Sequence, residues 1–228
     1  MSSERTHLFH EELTRFPADL FQFDPRIRDG WLSDRYFVRT ARTLAHAGRD
    51  PVVNLQFFAK RRGVLAGTFE CVRMLQTQLA HGFDYSDLEV ETLHDGDRIE
   101  PWEVAFRIRG RYRAFAHLET TLDGVLARRT LIATNADRAV DAAAGVPVIY
   151  FAPRHDDWRI QTPDGYAARV GGGGDVSSDA GASWWGGEGV GTMPHAMIAA
   201  FGGDVVDATL SFARYVRDED PHVPIVSL

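Results

Sequence analysis

The second half of the chain alternates apolar runs with helical periodicity, and that order leaves few folds open. Val146-Pro-Val-Ile-Tyr-Phe151 is short and continuously apolar, as expected of a strand covered on both faces. The pattern then predicts a helix over about 162–170, a glycine run at 171–174 and a second short strand over 176–179. One helix is expected to follow His195, another to span about 204–216, and residues 224–228 read as a further strand. Strand, helix, strand, helix, strand implies a parallel sheet with right-handed crossovers, either an open α/β sheet or part of a barrel.

The first half reads differently. Ser33 is placed to cap a helix over about 34–46, with Gly48 just past its end. Residues 52–58, 88–93 and 104–109 read as strands, and Val72, Leu75 and Leu79 mark the core face of a helix over about 68–80. His94-Asp-Gly-Asp97 is a turn by its Asp-Gly content. Three strands and two helices make an α+β layer. Phe16, Phe21 and Phe23 are expected to pack the N-terminal arm onto another surface, such as a neighbouring subunit. From Ala114 a long helical stretch carries Leu118, Leu122 and Leu126 towards Ala144, with an interruption expected near Thr130.

A net charge of −7 over 228 residues gives no support to a nucleic-acid or acidic-membrane binder, though Arg is abundant enough to hold a small anion locally. Cys71 is the only cysteine, so no intramolecular disulfide is possible, which fits a reducing compartment. No apolar run approaches the length of a membrane span, and the N-terminal residues lack the apolar segment of a signal peptide. The expectation is a cytoplasmic protein that binds neither nucleic acid nor membrane.

Three stretches carry chemistry. The glycine-rich loop Glu188-Gly-Val-Gly-Thr-Met-Pro-His195 runs into a helix, and Pro194 suits a first helical position. His195 would then lie where free backbone N–H groups and the positive dipole end gather, as a nucleophile, a proton donor or simply a surface histidine. Tyr150-Phe-Ala-Pro-Arg-His155 follows a predicted buried strand, where α/β folds bind ligands, and Arg154 can grip a carboxylate or phosphate there or form a solvated turn. Ser178-Asp-Ala-Gly-Ala-Ser-Trp-Trp presents Asp179, with Trp184 and Trp185 as packing residues. There is no P-loop, no Rossmann glycine triplet and no zinc-ligand spacing, and the isolated His155 and His195 argue for no metal site.

Four of these motifs, in order, resemble the type II phosphoribosyltransferases, the family of nicotinate, nicotinamide and quinolinate phosphoribosyltransferases. They are Gly63-Val-Leu-Ala-Gly67, Asp95-Gly-Asp-Arg-Ile-Glu-Pro101, Leu118-Glu-Thr-Thr-Leu122 with Ile132-Ala-Thr134, and Gly191-Thr-Met-Pro-His195 with Ala199-Ala-Phe-Gly-Gly-Asp204. The resemblance spans the chain from about Asp29 onward. It implies an α/β fold: an N-terminal α/β sandwich over 1–113 and the first part of an incomplete, TIM-like α/β barrel over 114–228. It also implies a homodimer with shared active sites. By resemblance, Tyr36 reaches the neighbouring subunit to stack on a pyridine ring, Phe151 covers the ring's other face, and Arg154 holds its carboxylate or amide. Asp179 lies near the pyridine, Thr192 belongs to the substrate-binding loop, and His195 resembles the catalytic histidine that ATP phosphorylates. The implied substrates are nicotinate, phosphoribosyl pyrophosphate and ATP, with Mg²⁺ on the pyrophosphate.

Within the family, quinolinate enzymes show Glu-Arg-Thr where this chain has Glu119-Thr-Thr121, and Thr-Arg-Lys where it has Pro153-Arg-His155. Fewer cations suit one carboxylate better than two, so the expectation is a nicotinate phosphoribosyltransferase of NAD synthesis. The alternatives are the decarboxylating quinolinate enzyme and a non-catalytic paralogue that binds a pyridine or a partner subunit. Family members continue well past the position of Leu228, so the chain is expected to be truncated within the barrel.

Overall fold

A computed structural model describes residues 13–219, 221 and 225–226. Helix α1 (Arg35–His46) precedes strand β1 (Val52–Phe58). The short β2 (Gly63–Val64) leads into helix α2 (Thr68–Gln78), followed by β3 (Glu89–Thr92), β4 (Arg98–Ile99) and β5 (Val104–Arg111). These strands form an antiparallel three-stranded sheet in the order β1-β5-β3, and a separate β2-β4 pair. In register, Phe57 lies opposite Phe106, and Glu89 and Glu91 lie opposite Arg109 and Arg107. One face is therefore apolar, with Phe57 and Phe106 meeting edge-to-face at 5.7 Å. The other carries cross-strand ion pairs of 2.6 Å (Arg109–Glu89) and 2.5 Å (Arg107–Glu91). The apolar face is covered by α2 through Val72 and Leu75 and by the following helices through Phe115 and Leu122, all buried.

The chain leaves β5 directly into the single turn α3 (Tyr112–Phe115) and then the 25-residue helix α4 (Glu119–Ala143), about 37 Å long at 1.5 Å per residue. No interruption occurs at Thr130. Its hydroxyl faces Ala66, accepting from Ala66 N at 3.3 Å, so the side chain is used between segments and leaves the helix intact. Thr134 accepts from Val64 N at 3.0 Å in the same way. The motif 63–67 is thus seated on α4. Gly67 has φ +97°, and a Cβ there would lie 3.0 Å from the Arg129 and Val125 side chains, so both backbone conformation and space require glycine.

Beyond α4 come α5 (Gln161–Val170), the single turn α6 (Asp179–Ala182), α7 (His195–Ala200) and α8 (Val205–Glu219). The helix after residue 162, the one after His195 and the one over 204–216 are therefore present as expected. The strands between them are shorter than expected. Residues 146–151 and 176–179 contribute a single parallel bridge, Tyr150↔Val176, because a parallel ladder depends on neighbours distant in sequence that no local pattern supplies. Of the strand expected at 224–228, only 225–226 lie within the described residues, and they have no regular structure beyond a bond from Met193 N to Val226 O at 3.0 Å.

Two capping expectations also change. Asp34, not Ser33, occupies the N-cap of α1, and it makes no side-chain cap bond. Pro194 is the N-cap of α7, with extended φ −83° and ψ 152°, so His195 is the first helical residue. The N-terminal arm packs onto its own chain: Phe16 lies 5.1 Å from Phe69, and Phe21 lies 4.7 Å from Trp184. No helix among the described residues is long and apolar enough to cross a membrane.

A buried charge cluster joins the two halves. Arg129 of α4 donates to Glu70 of α2 at 3.1 Å and to Asp164 of α5 at 3.3 Å, and Arg128 grips Asp164 at 2.7 Å. All but Arg128 are largely buried, so each charge depends on its partners. Asp164→Asn should cost about 3 to 5 kcal/mol, read from urea unfolding, because two guanidinium groups lose their shared acceptor. Nearby, burial holds the His117 imidazole below its ordinary 6.5 while its Nε2–H donates to the Gln78 carbonyl. The unfolded chain then binds the proton more tightly than the fold does. Stability should fall as pH drops below 6.5, and His117→Gln should flatten that slope in urea midpoints measured against pH.

Candidate active site

Two separate patches carry the residues singled out from the sequence. The first is the edge of the short parallel bridge. Gly174 N donates to Val148 O at 3.0 Å, Tyr150 N to Asp175 O at 2.9 Å, Ser177 N to Tyr150 O at 3.2 Å and Val190 N to Val176 O at 2.8 Å. Three segments are thereby laced side by side: 148–150, 174–177 and that around Val190. Because Tyr150 and Val176 pair in parallel, Phe151 to Arg154 and Ser178 to Asp179 leave from the same, carboxyl end. Gly191 to His195 follow Val190 in the chain.

Phe151 is 49% exposed, and Arg154, Thr192 and His195 are exposed. Arg154 forms no ion pair among the described residues. Its neighbouring acids are already engaged: Asp157 with Arg159 at 2.8 Å, and Asp156 with Arg128 at 3.3 Å. Asp179 accepts from Gly189 N at 2.8 Å and so ties down the glycine-rich loop. Ser178 Oγ accepts from Gly181 N at 3.2 Å and caps α6. Met193 is fully buried and anchors the loop from which His195 projects. The edge thus presents an aromatic face and a guanidinium that is unpaired among the described residues, a combination suited to a flat anionic ring.

Tyr36 lies on the second patch, at the start of α1. It is 60% exposed, with its ring 4.3 Å from Phe37 and its hydroxyl donating to Asp34 Oδ2 at 3.3 Å. Thr120 is tied into the same group: its hydroxyl accepts from Asp34 N at 2.9 Å and donates to Asp34 Oδ2 at 3.1 Å. The Tyr36 hydroxyl has a raised pKa, by desolvation first and then by Asp34, Glu119 and Asp123. Tyr112 donates to Glu119 at 3.2 Å and is pushed up to about 12, again by burial first. Burial also raises Glu119 and Asp123. The acids that act on the Tyr36 hydroxyl are thus Asp34, Glu119 and Asp123. Among the described residues no hydrogen bond, ion pair or ring contact joins Tyr36 to Phe151, Arg154, Asp179, Thr192 or His195.

Sequence reading missed the Arg128–Asp156–Asp164 group. A signal was present: Arg129 falls on the apolar face of α4 with Leu122, Leu126 and Ala133, and an arginine on a core face requires a buried partner. The described residues hold no group of three or more His, Cys, Asp or Glu side chains arranged for a metal ion.

Residues 34–130 match the family described as quinolinate phosphoribosyl transferase, N-terminal domain. Nicotinate-nucleotide pyrophosphorylase from Pyrococcus furiosus superposes with a TM-score of 0.81 at 32% identity, over 91% of this chain and 52% of that one. Human nicotinic acid phosphoribosyltransferase superposes at 0.65 with 21% identity, over 74% of this chain and 40% of that one. NadC from Streptococcus pyogenes does so at 0.58 with 20% identity, over 85% and 67%. The last two share the fold. Fold, motif order and sequence together make this chain similar to the type II phosphoribosyltransferases. Residues 34–130 are similar to the N-terminal domain of quinolinate phosphoribosyl transferase, and the chain spans about half the length of the Pyrococcus furiosus protein.

Asp179→Ala removes the acceptor that holds Gly189 N. Amide exchange at Gly189 should then accelerate about tenfold, with global stability unchanged to within about 0.5 kcal/mol.

Proposed function

We propose that this chain acts on a pyridine carboxylate in a phosphoribosyl transfer of the quinolinate, or nicotinate-nucleotide pyrophosphorylase, type. The observation that carries the reading is the 32% identity maintained over 91% of the chain with the protein of that name from Pyrococcus furiosus. That name and the matched N-terminal domain favour quinolinate over the nicotinate branch expected from the sequence. In the reaction the pyridine nitrogen attacks the anomeric carbon of phosphoribosyl pyrophosphate, pyrophosphate departs, and with quinolinate the 2-carboxylate leaves as CO₂ while a proton takes its place on the ring carbon.

The chain's residues have definite parts in this reading. Phe151 takes one face of the ring and Arg154 holds a carboxylate by parallel N–H···O bonds. Thr192 and Asp179 shape the loop, and His195 stands at its exposed end. Tyr36 sits on another patch, so its stacking on the ring requires a second copy of the chain, as in a homodimer with shared sites. A Mg²⁺ ion would arrive with the pyrophosphate rather than in a protein cage.

Nicotinate remains a second reading because of one observation. Thr120 is uncharged and bonded to Asp34, with Glu119 and Asp123 close to Tyr36. A dianion meets that acidic surface at twice the cost of a monoanion. Phosphorylation of His195 by ATP belongs to this second reading.

The test is turnover of the purified chain with phosphoribosyl pyrophosphate and Mg²⁺, offered quinolinate or nicotinate separately, with and without ATP. The lead reading expects nicotinate mononucleotide and CO₂ from quinolinate, independent of ATP. Product from nicotinate alone, raised by ATP and uncoupled from it in His195→Ala, would replace it with the second reading. Binding of a pyridine without turnover of either would identify a non-catalytic binder. Thr120→Arg should shift the ratio of quinolinate to nicotinate affinity about tenfold towards quinolinate, since a hydrogen bond to a charged group contributes about 1.5 to 3 kcal/mol.

A further inference from the structure

We infer that Arg128 and Asp156 act as a clamp that positions the Arg154–His155 turn and keeps Arg154 free for an anionic ligand. The inference rests on the proposed function only for what the turn binds.

The turn is fixed at both ends. It begins at Tyr150, which is bonded through its backbone to Asp175 and Ser177 at 2.9 and 3.2 Å. It ends at Asp157, whose carboxylate accepts from Arg159 N at 2.9 Å and starts the turn Trp158–Ile160. Inside it, His155 N donates to Ala152 O at 2.8 Å. The side-chain tie from the middle of the turn to the rest of the protein is Asp156 Oδ1 to Arg128 Nη2 at 3.3 Å.

Arg128 is a rigid anchor for that tie. Its Nε donates to both oxygens of Asp164 at 3.1 Å and its Nη2 to Oδ2 at 2.7 Å. The Asp164 side chain is 2% exposed and also takes Arg129, which is held in turn by Glu70. Position therefore passes from α2 through α4 and α5 to the turn by charged, directional contacts.

The clamp also settles which cation stays available. Arg154 has an acid two and three residues ahead, and either would be a competing partner. Asp157 is neutralised by Arg159 and Asp156 by Arg128, which leaves the Arg154 guanidinium unpaired. Arg128 and Asp156 are positioning residues: they act through Arg154 and need not touch a ligand.

Asp156 is 38% exposed in its side chain, so the variant Asp156→Ala should fold. The whole chain would be digested with trypsin and cleavage after Arg154 followed by mass spectrometry. Binding of quinolinate and of nicotinate would be measured by calorimetry, and the melting temperature recorded. Asp156→Ala should leave melting within about 2 °C, accelerate cleavage at Arg154 about tenfold and weaken binding of the preferred base about tenfold. Asp156→Glu should recover part of both. Unchanged cleavage at Arg154 in Asp156→Ala, or a loss that Asp156→Glu shares in full, would overturn the clamp. Faster cleavage in a chain whose wild type binds neither base would uphold the clamp and remove the functional reading.

Discussion

Arg129 is the charge on which the arrangement of this molecule depends. It lies on the core face of α4, where an unpaired guanidinium would be prohibitive, and it is tolerated because Glu70 and Asp164 reach it from two other helices. A buried ion pair of this kind need not add net stability over an apolar core of the same shape. Its consequence is directional. Three helices from distant parts of the sequence must meet in one register, since any slip strands a charge. The Gly63–Gly67 motif lies against the same residue, with Gly67 too close to Arg129 to carry a side chain. Asp95, from the turn motif, accepts from Thr68 N at 2.8 Å and from Tyr166 at 3.1 Å, closing the group onto α5. Motifs that look unrelated in the sequence are contacts of a single junction.

That convergence explains what was legible in the sequence and what was not. Strands β1, β3 and β5 and helix α2 were readable because one face of each is apolar and the period of two or 3.6 shows it. Helices α5 and α8 were readable for the same reason. The parallel bridge was not, because Tyr150 and Val176 recognise each other across the intervening helix and neither run reveals how many residues will pair. The break predicted at Thr130 failed on a tertiary contact, the hydroxyl's bond to Ala66, which local propensity cannot register. At the candidate site, Arg154, Asp179 and His195 drew attention at strand ends and loops, and Phe151 and Thr192 through the family resemblance. Arg128 and Asp156 did not, since their meaning lies in a contact between a helix and a turn 28 residues apart.

Fold kinship and ligand choice rest on different atoms. The junction around Arg129, the sheet register and the strand–helix order fix the fold, and they would survive a change of ligand. In the proposed reading, choice between a pyridine with one carboxylate and one with two depends on the count of unpaired cations at the site. At the carboxyl edge Arg154 is left free because Asp156 and Asp157 are spent on other arginines. On the second patch Thr120, Asp34, Glu119 and Asp123 supply no cation at all. In the proposed reading, a base with one carboxylate finds its partner in Arg154, whereas one with two needs a further cation that neither set of residues supplies.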